Sequence, residues 1–126
     1  MKILQIVESA YRGTLEEQDD TILWFSHTLR TSGAELDVLL RGNAVNYAVR
    51  GQDASGLSFG AWMQTQPPRI AEDIGKLREK GVTVYLVDED AAERGICRED
   101  LTESVQPISR ADLASLLDRY DRVWHW

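Results

Sequence analysis

Apolar positions along the chain fall into two alternating patterns: short runs and stretches with helical spacing. Lys2 to Val7 is short and rich in Ile and Val, as expected of a buried strand. Tyr11-Arg12-Gly13 reads as a turn. Thr14-x-x-Glu17 then has the spacing of a capping box, in which the Thr hydroxyl accepts from a helix N–H and the Glu reaches back. Glu16, Glu17, Asp19 and Asp20 suit the positive end of a helix dipole. Leu15, Ile22, Phe25 and Leu29 recur at helical spacing, and Gly33 stops that helix.

Leu36 to Leu40 reads as a second buried strand. Gly42-Asn43 turns the chain into a short helical segment, Ala44 to Val49. Gly51 to Pro68 is the least regular stretch, and a loop of that length in a compact domain usually serves function. Pro68 suits the first turn of a helix whose apolar face is Ile70, Ile74 and Leu77. Arg78, Lys80 and Gly81 form its cationic finish and stop. Val82 to Val87 is the clearest strand. Asp88 is placed to cap a short helix ending at Gly95. Ser109-x-x-Asp112 opens another helix, with Leu113, Leu116 and Leu117 as its stripe, and Arg122 to Trp126 closes as a strand. The pattern leaves a further strand near Val105 open. This alternation predicts one α/β domain over residues 1–126, three layers deep, around a mainly parallel sheet of about five strands. In such sheets ligands bind beyond the carboxyl ends of the strands. Glu8 to Gly13, Arg41 to Asn43 and Asp88 to Asp90 occupy those ends, so the candidate cleft comprises Glu8, Tyr11, Arg12, Arg41, Gly42, Asn43 and Asp88.

Composition narrows the function. The chain has 126 residues, 14 Lys and Arg against 21 Asp and Glu, and a formal net charge of −7. That balance argues against general nucleic-acid binding, which needs cationic surface against phosphate. No apolar run approaches a membrane span, and the opening run is too short for the core of a signal peptide. A single cysteine excludes an internal disulfide and a cysteine-based zinc site, which fits a cytoplasmic chain. No nucleotide-binding glycine motif is present, and no metal or cofactor is expected. The acids Asp88, Glu89 and Asp90 read better as helix-start residues than as metal ligands.

Three segments carry a resemblance. Arg50-Gly51-Gln52-Asp53-Ala54-Ser55-Gly56-Leu57 matches an "RGQD-x-x-G" loop. Val84 to Ile96 matches a strand followed by Arg-Gly and an aliphatic residue. Tyr120 to Trp126 matches a terminal strand ending in an aromatic residue. In these features the chain resembles the DsrE/DsrF-like family, which includes the TusB, TusC and TusD sulfur-relay subunits. The resemblance implies a compact α/β domain that forms homo- or hetero-oligomers with related subunits. It also implies a part in passing sulfane sulfur between protein cysteines, with sulfur-carrier proteins as partners. Sulfur-carrying members have a cysteine at the end of the strand before Arg-Gly. Counting back from Arg94, that position here is Val87, so the pattern is closest to DsrF/TusC-like members without the carrier thiol.

Cys97 is the one thiol, flanked by Arg94 and Arg98 but also by Glu93, Glu99 and Asp100. It is the candidate catalytic residue if the chain is a sulfurtransferase, and exposure is the condition it must meet. His27 is expected at the surface, and His125 at an interface. Trp24 is expected partly in the core. Phe59, Trp62 and Met63, with Trp124 and Trp126 on one face of the last strand, are the candidate interface. Three readings follow: an oligomeric partner-binding subunit, a persulfide carrier using Cys97, and a small-ligand sensor built on the cleft.

Overall fold

The computed structural model describes residues 1–10, 20–52 and 56–126. Its strands are β1 (Lys2–Val7), β2 (Glu35–Leu40), β3 (Ser58–Phe59), β4 (Trp62–Met63), β5 (Val84–Val87), β6 (Val105–Ile108) and β7 (Arg122–His125). Its helices are α1 (Thr21–Thr31), α2 (Ile70–Glu79), α3 (Asp88–Glu93) and α4 (Leu113–Leu117), and Gly42–Ala48 forms a 3-10 segment. Five strands make one parallel sheet in the order β6-β5-β2-β1-β7. The strand near Val105 therefore exists, as the outer strand β6.

Chain handedness explains the layering. From β1 the chain steps through β2 and β5 to β6, always in one direction across the sheet. Right-handed crossovers in one direction put their helices on one face. Accordingly Ile3, Val7, Leu36, Val38, Leu40, Val84 and Leu86 pack against Ile22 and Leu23 of α1, Tyr47 of the 3-10 segment, Ile74 and Leu77 of α2, and Ala91 of α3. The last crossover runs back past β1 to β7, so its helix must lie on the opposite face. There Leu4, Ile6, Leu39, Tyr85 and Val87 pack under Leu116, with Leu113, Leu117 and Tyr120 around it. The result is a three-layer α/β/α arrangement with one heavy and one light helical layer.

Buried polar groups fasten both faces. Asp20 is the N-cap of α1 and accepts from Ile22 N–H (2.9 Å) and Leu23 N–H (3.1 Å). Its other oxygen accepts from the Tyr47 hydroxyl at 2.6 Å. Gln5 of β1 is fully buried; it donates to Ser26 Oγ of α1 (3.1 Å) and accepts from Trp126 Nε1 (2.8 Å). On the light face Asp37 accepts from the Tyr120 hydroxyl (2.6 Å) and Thr83 N–H (2.8 Å), with Lys2 Nζ at 3.1 Å. Burial alone would raise the Asp37 carboxyl; these hydrogen bonds and the Lys2 charge outweigh it and hold it below its ordinary value.

Several expectations are corrected. The helix after β2 is a 3-10 segment. Pro68 precedes α2, whose N-cap is Arg69. Asp88 is the first residue of α3 and not its cap. His27 is half-buried, its Nε2 3.0 Å from the Asp73 carbonyl, which requires that nitrogen to carry the proton. Trp24 is exposed, because at the outer side of α1 it misses the sheet. The capping box at Thr14 and Glu17, and Leu15, lie outside the described residues.

The Asp20 cap sets the stability of the heavy layer. Asp20→Ala removes two cap bonds and the acceptor of the Tyr47 hydroxyl. It is expected to lower the unfolding free energy in urea by about 2–3 kcal/mol. A loss below about 0.5 kcal/mol would contradict this role for the cap.

Candidate functional site

The carboxyl ends of the strands line up along one edge of the sheet. β1 runs into Glu8, β2 into Arg41–Asn43, β5 into Asp88–Asp90 and β7 into Trp126. The direction of strand addition reverses between β1 and β7, the place where doubly wound sheets open a crevice. Glu8 stands there. Its Oε2 lies 2.5 Å from His125 Nε2 and its Oε1 3.1 Å from Arg41 Nε. With Glu8 ionised, the imidazole donates from Nε2. Gly42 closes against this group in the left-handed region (φ 54°), where a Cβ would meet Glu8 Cγ at 3.1 Å. Ala44 N–H, at 3.2 Å, donates to the Glu8 carbonyl.

A second set of charges joins this edge to α3. Gly42 N–H donates to Asp90 Oδ2 at 2.7 Å. Arg110 Nη2 bridges Asp90 Oδ1 (2.5 Å) and Glu93 Oε1 (2.9 Å). Arg94 reaches Asn43 Oδ1 with Nε (3.1 Å) and Nη2 (2.9 Å). Glu89 accepts from Ser109 Oγ (2.9 Å) and Arg110 N–H (2.7 Å). Burial alone would raise the Asp90 carboxyl, but Gly42 N–H, Arg110 and Arg94 more than offset it and hold it below its ordinary value. Glu89 is lowered chiefly by Arg110 N–H. The three acids are thus each committed within the chain, Asp88 to Arg98, Glu89 to Ser109 and the Arg110 N–H, and Asp90 to Gly42 N–H and the Arg110 guanidinium. Among the described residues no group of three His, Cys, Asp or Glu side chains converges as a metal ligand set.

Cys97 lies beyond α3 and is exposed. Its N–H donates to Asp100 Oδ2 at 3.0 Å at the start of a 3-10 turn, Arg98–Asp100. Cys97 lines an open pocket of about 460 Å³ together with Asp88, Ala92, Ile96, Arg98 and Leu101. Arg98 Nη2 is committed to Asp88 Oδ2 at 2.6 Å. Val87, the last residue of β5, is 1% exposed and packs in the light-face core.

The stretch expected to be irregular contains a small hairpin. β3 and β4 pair antiparallel, Phe59 opposite Trp62, their ring centroids 6.2 Å apart. Gly60 opens the two-residue turn at φ 58°, the conformation tight hairpins demand. Gln64 N–H donates to the Leu57 carbonyl at 2.8 Å, extending the ladder. Leu57, Phe59, Trp62 and Met63 are all exposed. At the other end of the chain, Trp124 stacks on Phe25 (centroids 6.2 Å) and Trp126 meets the same ring edge-on (6.4 Å).

Of the cleft residues read from the sequence, Glu8, Arg41, Gly42 and Asn43 come together, whereas Asp88 joins the Cys97 pocket. Tyr11 and Arg12 lie outside the described residues. Asp90, within the Asp88–Asp90 segment expected at a strand end, is at this edge as well; Arg94 and Arg110 join it without a sequence signal, and His125 belongs to it through Glu8. The signal for His125 was its place at the end of a strand, but strand order decides which ends are neighbours.

A doubly wound parallel sheet with its polar groups gathered along the carboxyl edge defines the class. The chain belongs to the DsrE/DsrF-like family, whose sequence model matches residues 1–125. Membership points to a sulfur-relay-related function, and members of the family form oligomeric complexes. The fold is similar to that of the YchN protein from E. coli, with TM-score 0.74 and 23% identity over 99% of this chain and 98% of that one. It is also similar to MTH1491 from Methanobacterium thermoautotrophicum (TM-score 0.68, 11% identity, 99% and 98% covered) and to BT1422 from Bacteroides thetaiotaomicron (TM-score 0.70, 10% identity, 99% and 94% covered). At these identities the likeness is one of fold. No curated protein matches the sequence.

The lowered carboxyls fix a pH dependence. Asp90 and Asp37 are held below their ordinary value of 3.8, so the folded state binds fewer protons in acid than the unfolded state. Their stabilisation is fully present above that value and is lost as pH falls through the depressed ones. The urea midpoint is expected to drop below about pH 4, and less steeply in Arg110→Gln. Equal slopes in the two proteins would contradict the role given to Arg110.

Proposed function

We propose that the chain is a partner-binding subunit of a sulfur-relay assembly, joined to other subunits through the β3–β4 hairpin and lacking the carrier thiol at Val87. The observation that carries this reading is the hairpin itself. Leu57, Phe59 (59% exposed) and Trp62 share one face of the two short strands, and Met63, 66% exposed, stands on the other, so both faces of the hairpin offer apolar side chains. Burying one such side chain stabilises by about 1.5–3 kcal/mol, and clustered aromatic residues are where interface energy concentrates. Valine at position 87 supplies no nucleophile, and its burial keeps that position out of reach of a donor. The partners are copies of this chain, related subunits or a sulfur-carrier protein. With both Phe59 and Trp62 changed to Ser, association measured by light scattering is expected to weaken at least about 30-fold, with an unchanged circular dichroism spectrum. An unchanged particle mass would sink the reading.

A second reading has one observation in its favour. Cys97 is exposed in a pocket. As a carrier, its thiolate would attack the outer sulfur of a donor persulfide, forming Cys–S–S⁻ and releasing the donor thiolate. Intact mass after incubation with a persulfide donor separates the readings. A subunit without a carrier thiol stays unmodified. A gain of one sulfur, reversed by reductant and absent in Cys97→Ser, would establish the carrier instead.

A further inference from the structure

One pair at the carboxyl edge differs from the rest. Around α3 the charges close on one another, whereas the Glu8–His125 pair leaves an acceptor open. The strand ends hold this pair in place. Glu8 N–H donates to the Trp126 carbonyl (3.1 Å), and Arg41 N–H donates to the Val7 carbonyl (3.1 Å). Arg41 Nε takes one Glu8 oxygen and His125 Nε2 the other. A proton on Nε2 makes Nδ1 of the neutral ring an acceptor. Among the described residues nothing donates to Nδ1. An imidazole oriented by a carboxylate that is itself oriented is prepared to take a proton. The chain's own thiol is out of its reach. β1 and β2 stand between β7 and β5, the strand that leads through α3 to Cys97. Three strand spacings put about 14 Å between those strand ends.

We propose that His125 is the proton acceptor for a cysteine thiol presented by a partner protein, with Glu8 as its positioning residue. The proposal rests on the reading of this chain as a partner-binding subunit without a carrier thiol. Nδ1 takes the S–H proton, leaving a thiolate on the partner and an imidazolium on this chain, and no electrons change hands. Glu8 balances the imidazolium so formed, and the Arg41 guanidinium balances Glu8 while the ring is neutral. The class of substrate follows from acidity. Reference values are about 6.5 for imidazole and about 8.5 for a thiol, against about 10 for a phenol or a lysine ammonium. A thiol is therefore the side-chain nucleophile best matched to an imidazole, and its thiolate is the reactive form. The source follows from exposure. The side chains of His125 and Glu8 are 53% and 38% exposed. So open a pair has little with which to enclose a small molecule, whereas a thiol on a docked protein is held by contacts elsewhere.

The test brings a thiol to the ring within one chain. Val123 is 43% exposed and lies two residues before His125, on the same side of β7. In a Cys97→Ser background, the thiol of Val123→Cys is alkylated with iodoacetamide across a range of pH, with and without His125→Gln. It is expected to titrate at least about 0.5 pH unit lower when His125 is present, and Glu8→Gln is expected to remove about half of that shift. Equal profiles with and without His125 overturn the proposal. A second measurement uses the unmodified chain: nitrogen NMR of its two imidazoles, His27 and His125. Neutral His125 is expected to carry its proton on Nε2, and a proton on Nδ1 overturns the proposal. N-acetylcysteine amide, a neutral small thiol, is expected to leave the His125 signals unmoved at millimolar concentration. A saturable shift would assign the site to small thiols and overturn the partner source. None of these readouts needs association, so their failure is distinct from failure of the hairpin reading.

Discussion

Strand β1 is the constraint on which the rest depends. It pairs with β2 on one side and β7 on the other, in register along nearly its whole length. That pairing places it in the middle of the sheet, where the helical layers cover both its faces, and Leu4 and Val7 are fully enclosed. Once the opening strand is central, handed crossovers leave two choices: steps away from it in one direction with helices on one face, and a return to its far side with a helix on the other. The two cores follow from that reversal. So does the position of Glu8, which the end of β1 delivers between Arg41 from β2 and His125 from β7.

The same constraint separates the chemistry from the surfaces. Charged groups gather at the carboxyl edge and compensate one another in detail: Asp90 with Gly42 N–H and Arg110, Arg94 with Asn43, Asp88 with Arg98. Such pairing organises the edge more than it leaves reactive groups there. The apolar surplus lies elsewhere, chiefly on the β3–β4 hairpin. A chain of this size with large aromatic residues presented on a short hairpin spends sequence on contacts it does not make within itself. That division fits a subunit whose role depends on what it joins.

Local pattern made much of the fold legible. β1, β2, α2 and β5 are short apolar runs or helical stripes bounded by glycine, and local sterics suffice to specify them. Gly33 and Gly81 end helices at positive φ as their positions imply. What depends on tertiary placement was not legible. The hairpin is two residues per strand, too short for alternation to register, although Phe59-Gly60-Ala61-Trp62 held its turn signal. Trp24 lies beside an apolar stripe, yet only the sheet's position decides that it faces solvent. His27 is drawn inward by a carbonyl 46 residues away. At the candidate site, Glu8, Arg41, Gly42 and Asn43 could be read because they directly follow strands. Asp90 lies at a strand end too, but its pairing with Gly42 and Arg110 could not be read, because that meeting needs the order β6-β5-β2, which no local pattern encodes.

The proposed role requires that this chain work assembled. Sedimentation equilibrium of the unmodified protein at micromolar concentration tests it most directly. The expected result is a mass that is a whole multiple of the 14.3 kDa chain, with no monomer on dilution through that range. A single species at the mass of one chain would contradict it, and would return the exposed hairpin to an unexplained feature of a monomer.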